Sequence, residues 1–201
     1  MSGRLAIIGL GPGSPGEMTP DAGEALAAAD ELYGYGPYLD RIALRPGQSR
    51  HASDNREERA LARAADGHRV ALVSGGDPGV FAMAAAVCEA IEAGPSAWRA
   101  IEIHIVPGVT AMLAVAARVG APLGHDFCAI NLSNNLKPWE LVERRLTAAA
   151  QGGFVMALYN PVSRARPWQL GRALDLLRTL LPAMTPVVFG RAAGRPDEDM
   201  R

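Results

Sequence analysis

Three times in this chain an apolar run stops at a glycine- or proline-bearing turn and gives way to a helical pattern. That recurrence limits the fold more than any other feature. The best formed case is Val70-Ala71-Leu72-Val73-Ser74-Gly75-Gly76-Asp77-Pro78-Gly79-Val80-Phe81. Four apolar residues, two of them β-branched, read as a strand buried on both faces. Gly75-Gly76 tolerates positive φ and a close approach of backbone to ligand. Asp77-Pro78 turns the chain, and Val80 to Ala93 reads as an apolar helix. Leu5-Ala6-Ile7-Ile8 runs into Gly9-Leu10-Gly11-Pro12-Gly13 in the same way. The alternating stretch Ala100 to Val106 runs into Pro107-Gly108-Val109-Thr110-Ala111, and a helix then reaches about Val119. In a parallel sheet all three loops leave by the same edge, where open α/β sheets place their ligands. The plainer alternative for the central loop is a tight strand–helix turn with Asp77 as a helix cap.

The rest of the chain keeps the alternation. Thr19-Pro20 starts a helix to about Asp30, and Leu32 to Tyr35 is a weaker strand. Gly36 to Ser53 reads as a long loop, rich in Arg, His and Tyr, of the length that is usually functional or mobile. Asp54-Asn55-Arg56-Glu57 resembles a capping box opening a helix that Gly67 closes. Gly120-Ala121-Pro122-Leu123-Gly124 is the best boundary. Beyond it come strand Phe127 to Leu132, helix Pro138 to Gln151, strand Phe154 to Leu158, helix Arg166 to Leu181 and strand Pro186 to Phe189. The expected fold class is α/β, with mostly parallel sheets in two α/β domains, residues 1–120 and 121–201.

Composition removes several function classes. A formal net charge of −1 offers no global field for nucleic acid or an anionic membrane, so an anion site must be local. Cys88 and Cys128, without CxxC spacing, suggest a reducing, cytoplasmic setting and no structural zinc. His51, His68, His104 and His125 are scattered, so no metal is expected. Gly9-Leu10-Gly11-Pro12-Gly13 invites a dinucleotide reading, but GxGxxG would need glycine where Ser14 stands, and Pro12 stiffens the turn. Nothing near Asp77 resembles GxxxxGK. A fixed negative charge beside bare main-chain groups suits a ligand carrying a cation and hydroxyls better than a bare phosphate.

Gly9 to Ala22 (GLGPGSPGEMTPDA), Ser74 to Phe81 (SGGDPGVF) and Val106 to Ala111 (VPGVTA) together resemble the tetrapyrrole (precorrin) methylase family. Leu158 to Pro161 (LYNP) and Val187 to Glu198 (VVFGRAAGRPDE) extend the likeness over essentially the whole chain. Glu31 to Ile42, Lys137 to Leu146 and Leu158 to Leu170 are most similar to the ring-contracting C(17) methylases of corrin synthesis, aerobic or anaerobic. Gly34 stands where uroporphyrinogen methylases carry Asp, which argues against that substrate. The chain also stops at Arg201, where members of the family usually continue through further strands.

The resemblance implies an S-adenosylmethionine-dependent methyltransferase, releasing S-adenosylhomocysteine, with the cofactor folded in a cleft between two domains and homodimers usual. It implies cofactor contacts from Gly75, Gly76, Asp77, Val80, Thr110 and Ala111, and from Asn160 and Ala192 of the second domain. Pro12 would form the cleft floor. The precorrin substrate carries acetate and propionate groups that Arg41, Arg45, Arg50 and His51 are suited to pair with, with Arg56, Arg164 and Arg166 as further candidates. Ring contraction moves a proton, for which Tyr35, Asp40, His125 and Asp126 are the candidates. Rival readings are a nicotinamide oxidoreductase, a ribosomal-RNA methyltransferase, diphthine synthase, and a non-catalytic tetrapyrrole-binding module.

Overall fold

A computed structural model describes residues 3–52, 54, 56–120 and 122–201. Ser53 at the end of the long loop, Asn55 of the expected capping box and Ala121 of the expected boundary lie outside the described residues. By packing, the chain forms two units: Met1–Ala114 with Gly190–Asp199, and Val115–Phe189 with Met200–Arg201. The division therefore falls before Gly120, and Gly190–Asp199, expected in the second domain, belongs to the first unit.

The first unit is built on one five-stranded sheet. Its strands are β1 (Arg4–Gly9), β2 (Glu31–Gly34), β3 (Ser49–Ala52), β4 (Arg69–Ser74) and β5 (Glu102–Val106), in the order β3-β2-β4-β1-β5 and all parallel. Period-2 alternation sends Ala6, Ile8, Ala71 and Val73 to one face, where α1 (Pro20–Ala28) supplies Ala22 and Leu26. Leu5, Ile7, Val70 and Leu72 go to the other face, against Ala60, Leu61 and Ala64 of α3 (Arg56–Ala65) and Val87 of α4 (Met83–Ala93). That two-sided burial is why β1 and β4 are unbroken apolar runs.

Two elements differ from expectation here. The long loop contains a short helix, α2 (Gly36–Leu39), and the strand β3, whose sequence Ser-Arg-His-Ala carries no apolar alternation. Helix α4 starts at Met83 rather than Val80, because Phe81 sits at φ 53, outside the right-handed helical region. Helix α5 (Ala111–Arg118) follows the third loop, as expected.

The second unit carries a parallel pair, β6 (Phe127–Asn131) and β7 (Val155–Tyr159), covered by α6 (Trp139–Gln151) and α7 (Gln169–Leu180). Its core is one-sided: Ile130 and Leu132 pack against Trp139, Val142 and Leu146 of α6 and Ala173 and Leu177 of α7. The expected strand Pro186 to Phe189 is not one. Only Phe189 finds a backbone partner, exchanging hydrogen bonds with Arg201 at 2.7 and 3.0 Å, and a ladder needs a neighbouring strand along its length.

Candidate active site

The three glycine-bearing loops meet at the carboxyl edge of the first unit's sheet. Gly11 N–H donates to Gly76 O at 3.2 Å and Gly76 N–H to Gly11 O at 2.9 Å, a one-rung antiparallel bridge between the loops after β1 and β4. A methyl built on Gly9 would stand 2.6 Å from Gly76 O and 2.8 Å from Gly108 N. One built on Gly108 would run into Gly76 O. Gly9, Gly76 and Gly108 thus touch backbone to backbone, and Gly76 also needs its left-handed φ of 67. Thr19 adds a further tie: its hydroxyl caps α1 through Ala22 N–H and donates to Pro107 O at 3.3 Å.

Asp77 joins two of these loops. Its Oδ1 accepts from Gly79 N–H at 2.8 Å, and its Oδ2 accepts from Gly108 N–H at 3.1 Å. It is not the cap of α4, whose N-cap is Ala82. Among the described residues no cation pairs with it, so its negative charge is left for whatever occupies the loops. The carboxylate places the main chain, a role beyond the cofactor contact expected of it.

Tyr38 of α2 is a site residue that the sequence did not single out. A methyl on Gly75 would lie 2.7 Å from its ring, so the tyrosine lies directly on that glycine. Tyr35 meets Tyr38 edge to face, with centroids 5.6 Å apart, and is 55% exposed. The contact joins residues 37 apart in sequence, beyond any local pattern. Gly34 packs just below: a methyl there would stand 2.6 Å from the Val73 side chain, so a larger residue would have to displace Val73.

Among Arg41, Arg45, Arg50 and His51, it is Arg41 that touches these loops. It donates to Leu10 O at 2.9 Å and to Gly11 O at 3.3 Å. Burial, and then the nearby Arg195 guanidinium, pull its pKa below the usual arginine range. Arg195 belongs to the returning segment Gly190–Asp199, whose Ala193 O would lie 2.6 Å from a methyl on Gly13. Beside Arg41 opens a groove of about 560 Å³, lined by Leu10, Gly13, Met18 and Ile42 and, toward its far end from these loops, by Arg45.

The other candidates are placed elsewhere. Arg45 lies at the amino edge of the sheet, donating to Ala27 O and Ala29 O, both at 2.8 Å, and pairing with Asp30. Arg50 is taken up by Ile42 O at 2.8 Å and Asp40 at 3.3 Å, which also gives Asp40 a structural partner. His51 stacks on Tyr33 at 4.8 Å and bonds Ser49. His125 is exposed and precedes β6, at the amino end of the second unit's pair. The structure does not bring Arg45, Arg50, His51 or His125 to the loops: carbonyls and carboxylates hold the two arginines, the Tyr33 ring and Ser49 hold His51, and chain direction carries His125 away. Thr110 is buried, while Ala111 is exposed at the start of α5. Val80 N–H bonds Asp77 O at 3.3 Å, within the same loop, and Pro12 follows Gly11 at φ 68.

In the second unit Asn160 follows β7, and its Nδ2 donates to Asn131 Oδ1 at 3.1 Å. Asn160 at φ 51 and Ala192 at φ 55 are two of the three non-glycine residues with left-handed backbone among those described; Phe81 is the third. Such conformations cost about 1–3 kcal/mol and collect at functional sites. Among the described residues no group of His, Cys, Asp or Glu is arranged to hold a metal ion. No helix is long and apolar enough to cross a membrane.

The family model of the Tetrapyrrole (Corrin/Porphyrin) Methylases matches residues 4–201. The chain is 68% identical over 203 residues to a Sinorhizobium sp protein named precorrin-3B C(17)-methyltransferase, covering 98% of this chain and 80% of the relative. It is 49% identical to the cobalamin biosynthesis protein CobIJ of Mycobacterium tuberculosis, of which it spans 41%. The crystal structure of the methyltransferase CobJ superposes with a TM-score of 0.94 at 52% identity, covering all of this chain and 85% of that one. A uroporphyrin-III C-methyltransferase from Thermus thermophilus, complexed with S-adenosylhomocysteine, gives a TM-score of 0.72 at 25% identity, over 99% of this chain and 87% of that one.

Proposed function

The chain belongs to the tetrapyrrole (corrin/porphyrin) methylases, which makes it a methyltransferase, and we propose that it methylates C(17) of precorrin-3B with contraction of the macrocycle, in cobalamin biosynthesis. The observation that carries this reading is the identity, over nearly the whole chain, with a protein of that name. Relatives named for other substrates of the family are less similar, which favours the metal-free precorrin over a cobalt-bearing substrate.

We assign the methyl donor as S-adenosylmethionine, which when bound supplies an electrophilic methyl group on a sulfonium cation. The loops fit such a group. Gly75, Gly76 and Gly108 carry no side chain at the loops, and the charge of Asp77, with no cation partner among the described residues, favours a cation nearby. Val80, Thr110, Ala111, Asn160 and Ala192 complete the assignment, with Pro12 toward the substrate. Carbon methylation of this kind depends on alignment more than on an acid. Holding two reactants in line accounts for roughly 7–11 kcal/mol of a barrier, and a backbone-to-backbone interlock is a rigid way to do it. Arg41, with Arg195 beside it, supplies positive charge for a peripheral carboxylate of the macrocycle. Tyr35, exposed at the same sheet edge, is the candidate we assign to moving the proton. A homodimer in the cytoplasm is the assembly we propose on family grounds; sedimentation measures the first part.

The experiment is incubation with methyl-labelled S-adenosylmethionine and purified precorrin-3B, followed by mass spectrometry. One added labelled methyl and a ring-contracted product are expected. Methylation only of another precorrin or of a cobalt-bearing substrate would replace the substrate assignment. Tetrapyrrole binding without transfer would replace the catalytic one.

A further inference from the structure

We propose that Asn131 is a positioning residue for the methyl-donor site: it fixes which way the Asn160 amide faces. The inference rests on the reading of Asn160 as a cofactor contact. Asn131 ends β6, and its register partner Tyr159 ends β7, so Asn131 and Asn160 stand side by side at the carboxyl end of the pair. Asn131 Oδ1 accepts from Ser133 N–H at 2.9 Å. A main-chain N–H can only donate, so the atom facing it is the oxygen. The same oxygen lies 3.1 Å from the Asn160 side chain, which must therefore present its nitrogen. One backbone N–H thus settles the orientation of two amides in succession.

What remains on Asn160 is its whole Oδ1 and one N–H of Nδ2, an adjacent acceptor and donor. An adenosyl group offers the complement, since its amine and hydroxyls donate and its ring nitrogens accept. The backbone supports the arrangement. Asn160 sits at φ 51, where asparagine is among the few tolerated side chains. The loop carrying Ser133 is held from below. Leu132 N–H donates to Tyr159 O at 2.9 Å. Gln169, 1% exposed in the core of the second unit, donates to Leu132 O at 2.8 Å and Asn134 Oδ1 at 2.9 Å. Lys137 Nζ donates to Ser133 O at 2.7 Å. A buried glutamine and a lysine therefore immobilise the N–H that orients Asn131, and Asn131 orients Asn160.

The test is S-adenosylhomocysteine affinity by calorimetry, with thermal melting of every variant. Asn131→Asp keeps both acceptor contacts and should bind within about threefold of wild type. Asn131→Leu removes the acceptor and should bind about tenfold more weakly, the scale of one hydrogen bond. Asn160→Gly, which relieves the left-handed backbone while deleting the amide, should lose a similar factor. The double variant should be no weaker than Asn160→Gly alone, since a positioning residue has nothing left to position. Multiplying losses in the double variant, or wild-type affinity in a folded Asn131→Leu, would overturn the inference while leaving Asn160 in the site. Wild-type affinity in Asn160→Gly would remove Asn160 from the cofactor site and the inference with it. Should Asn131→Leu fail to fold, Asn131→Ser in the same cycle gives the same discrimination.

Discussion

Asp77 holds two loop N–H groups with one carboxylate, and each such charge-assisted bond is worth about 1.5–3 kcal/mol. Asp77→Ala leaves Gly79 and Gly108 N–H without that acceptor. It should lower stability by roughly 2 kcal/mol and weaken S-adenosylhomocysteine binding at least tenfold, read by melting and calorimetry. Unchanged affinity would separate the interlock from the cofactor. Arg45 gives the opposite pattern. Its donors serve Ala27 O and Ala29 O, so Arg45→Ala should lower the melting temperature while leaving cofactor affinity alone. The glycines and Asp77 were legible because their constraints are local: a turn must follow a strand end, and only glycine allows the approach. The arginines were not. A long side chain can reach a carbonyl 15 or more residues away, and a count of positive charges in a loop says nothing of which carbonyls lie within reach. Tyr38 was hidden for the same reason, since only the folded chain lays it on Gly75.

At the level of elements, strands buried on both faces announce themselves and polar edge strands do not. β3 lies at the sheet edge and spends its residues on contacts to neighbours. His51 stacks on Tyr33, and both border the half-buried Glu31 carboxylate. Glu31 is held below the ordinary carboxylate range, first by the Arg63 hydrogen bond and then, against burial, by the Tyr33 hydroxyl and nearby charges. The sign follows from linkage: a lowered folded pKa stabilises above the unfolded value and is lost as pH falls through the folded one. The wild-type melting temperature should therefore fall more steeply below pH about 4.5 than that of Glu31→Gln. Parallel curves would assign the acid sensitivity elsewhere. Helix α7 offers a gain instead. Gly171 lies on its exposed face with nothing within 4 Å of a built methyl. Gly171→Ala should raise stability by about 0.5–1 kcal/mol, the ordinary helix preference, measured by urea titration. Pro186 to Phe189 marks the converse limit of pattern reading. Its composition is that of a strand, but a strand is a relation between two segments, and here only Phe189 has a partner.

Across the whole molecule, the two units differ in how they are held. One is built on a five-stranded sheet with apolar layers on both faces; the other on a two-stranded sheet with a core on one side. Burial is the main favourable contribution to folding, and amide exchange reports local opening free energies. The amides of β1 and β4 should therefore exchange most slowly, and those of β6 and β7 faster, in hydrogen-exchange mass spectrometry. The residues assigned to the cofactor are Gly75, Gly76, Asp77, Val80, Thr110, Ala111, Asn160 and Ala192. A ligand stabilises what it binds by RT ln(1 + [L]/Kd), about 2.7 kcal/mol at a hundredfold excess over Kd. Saturating S-adenosylhomocysteine should consequently slow exchange in the loops after β1, β4 and β5 and, by a comparable factor, in the segment after β7. Protection confined to the first three loops would leave the interlock as the binding element and withdraw Asn160 from the assignment. Protection confined to the segment after β7 would instead detach the glycine loops from the cofactor.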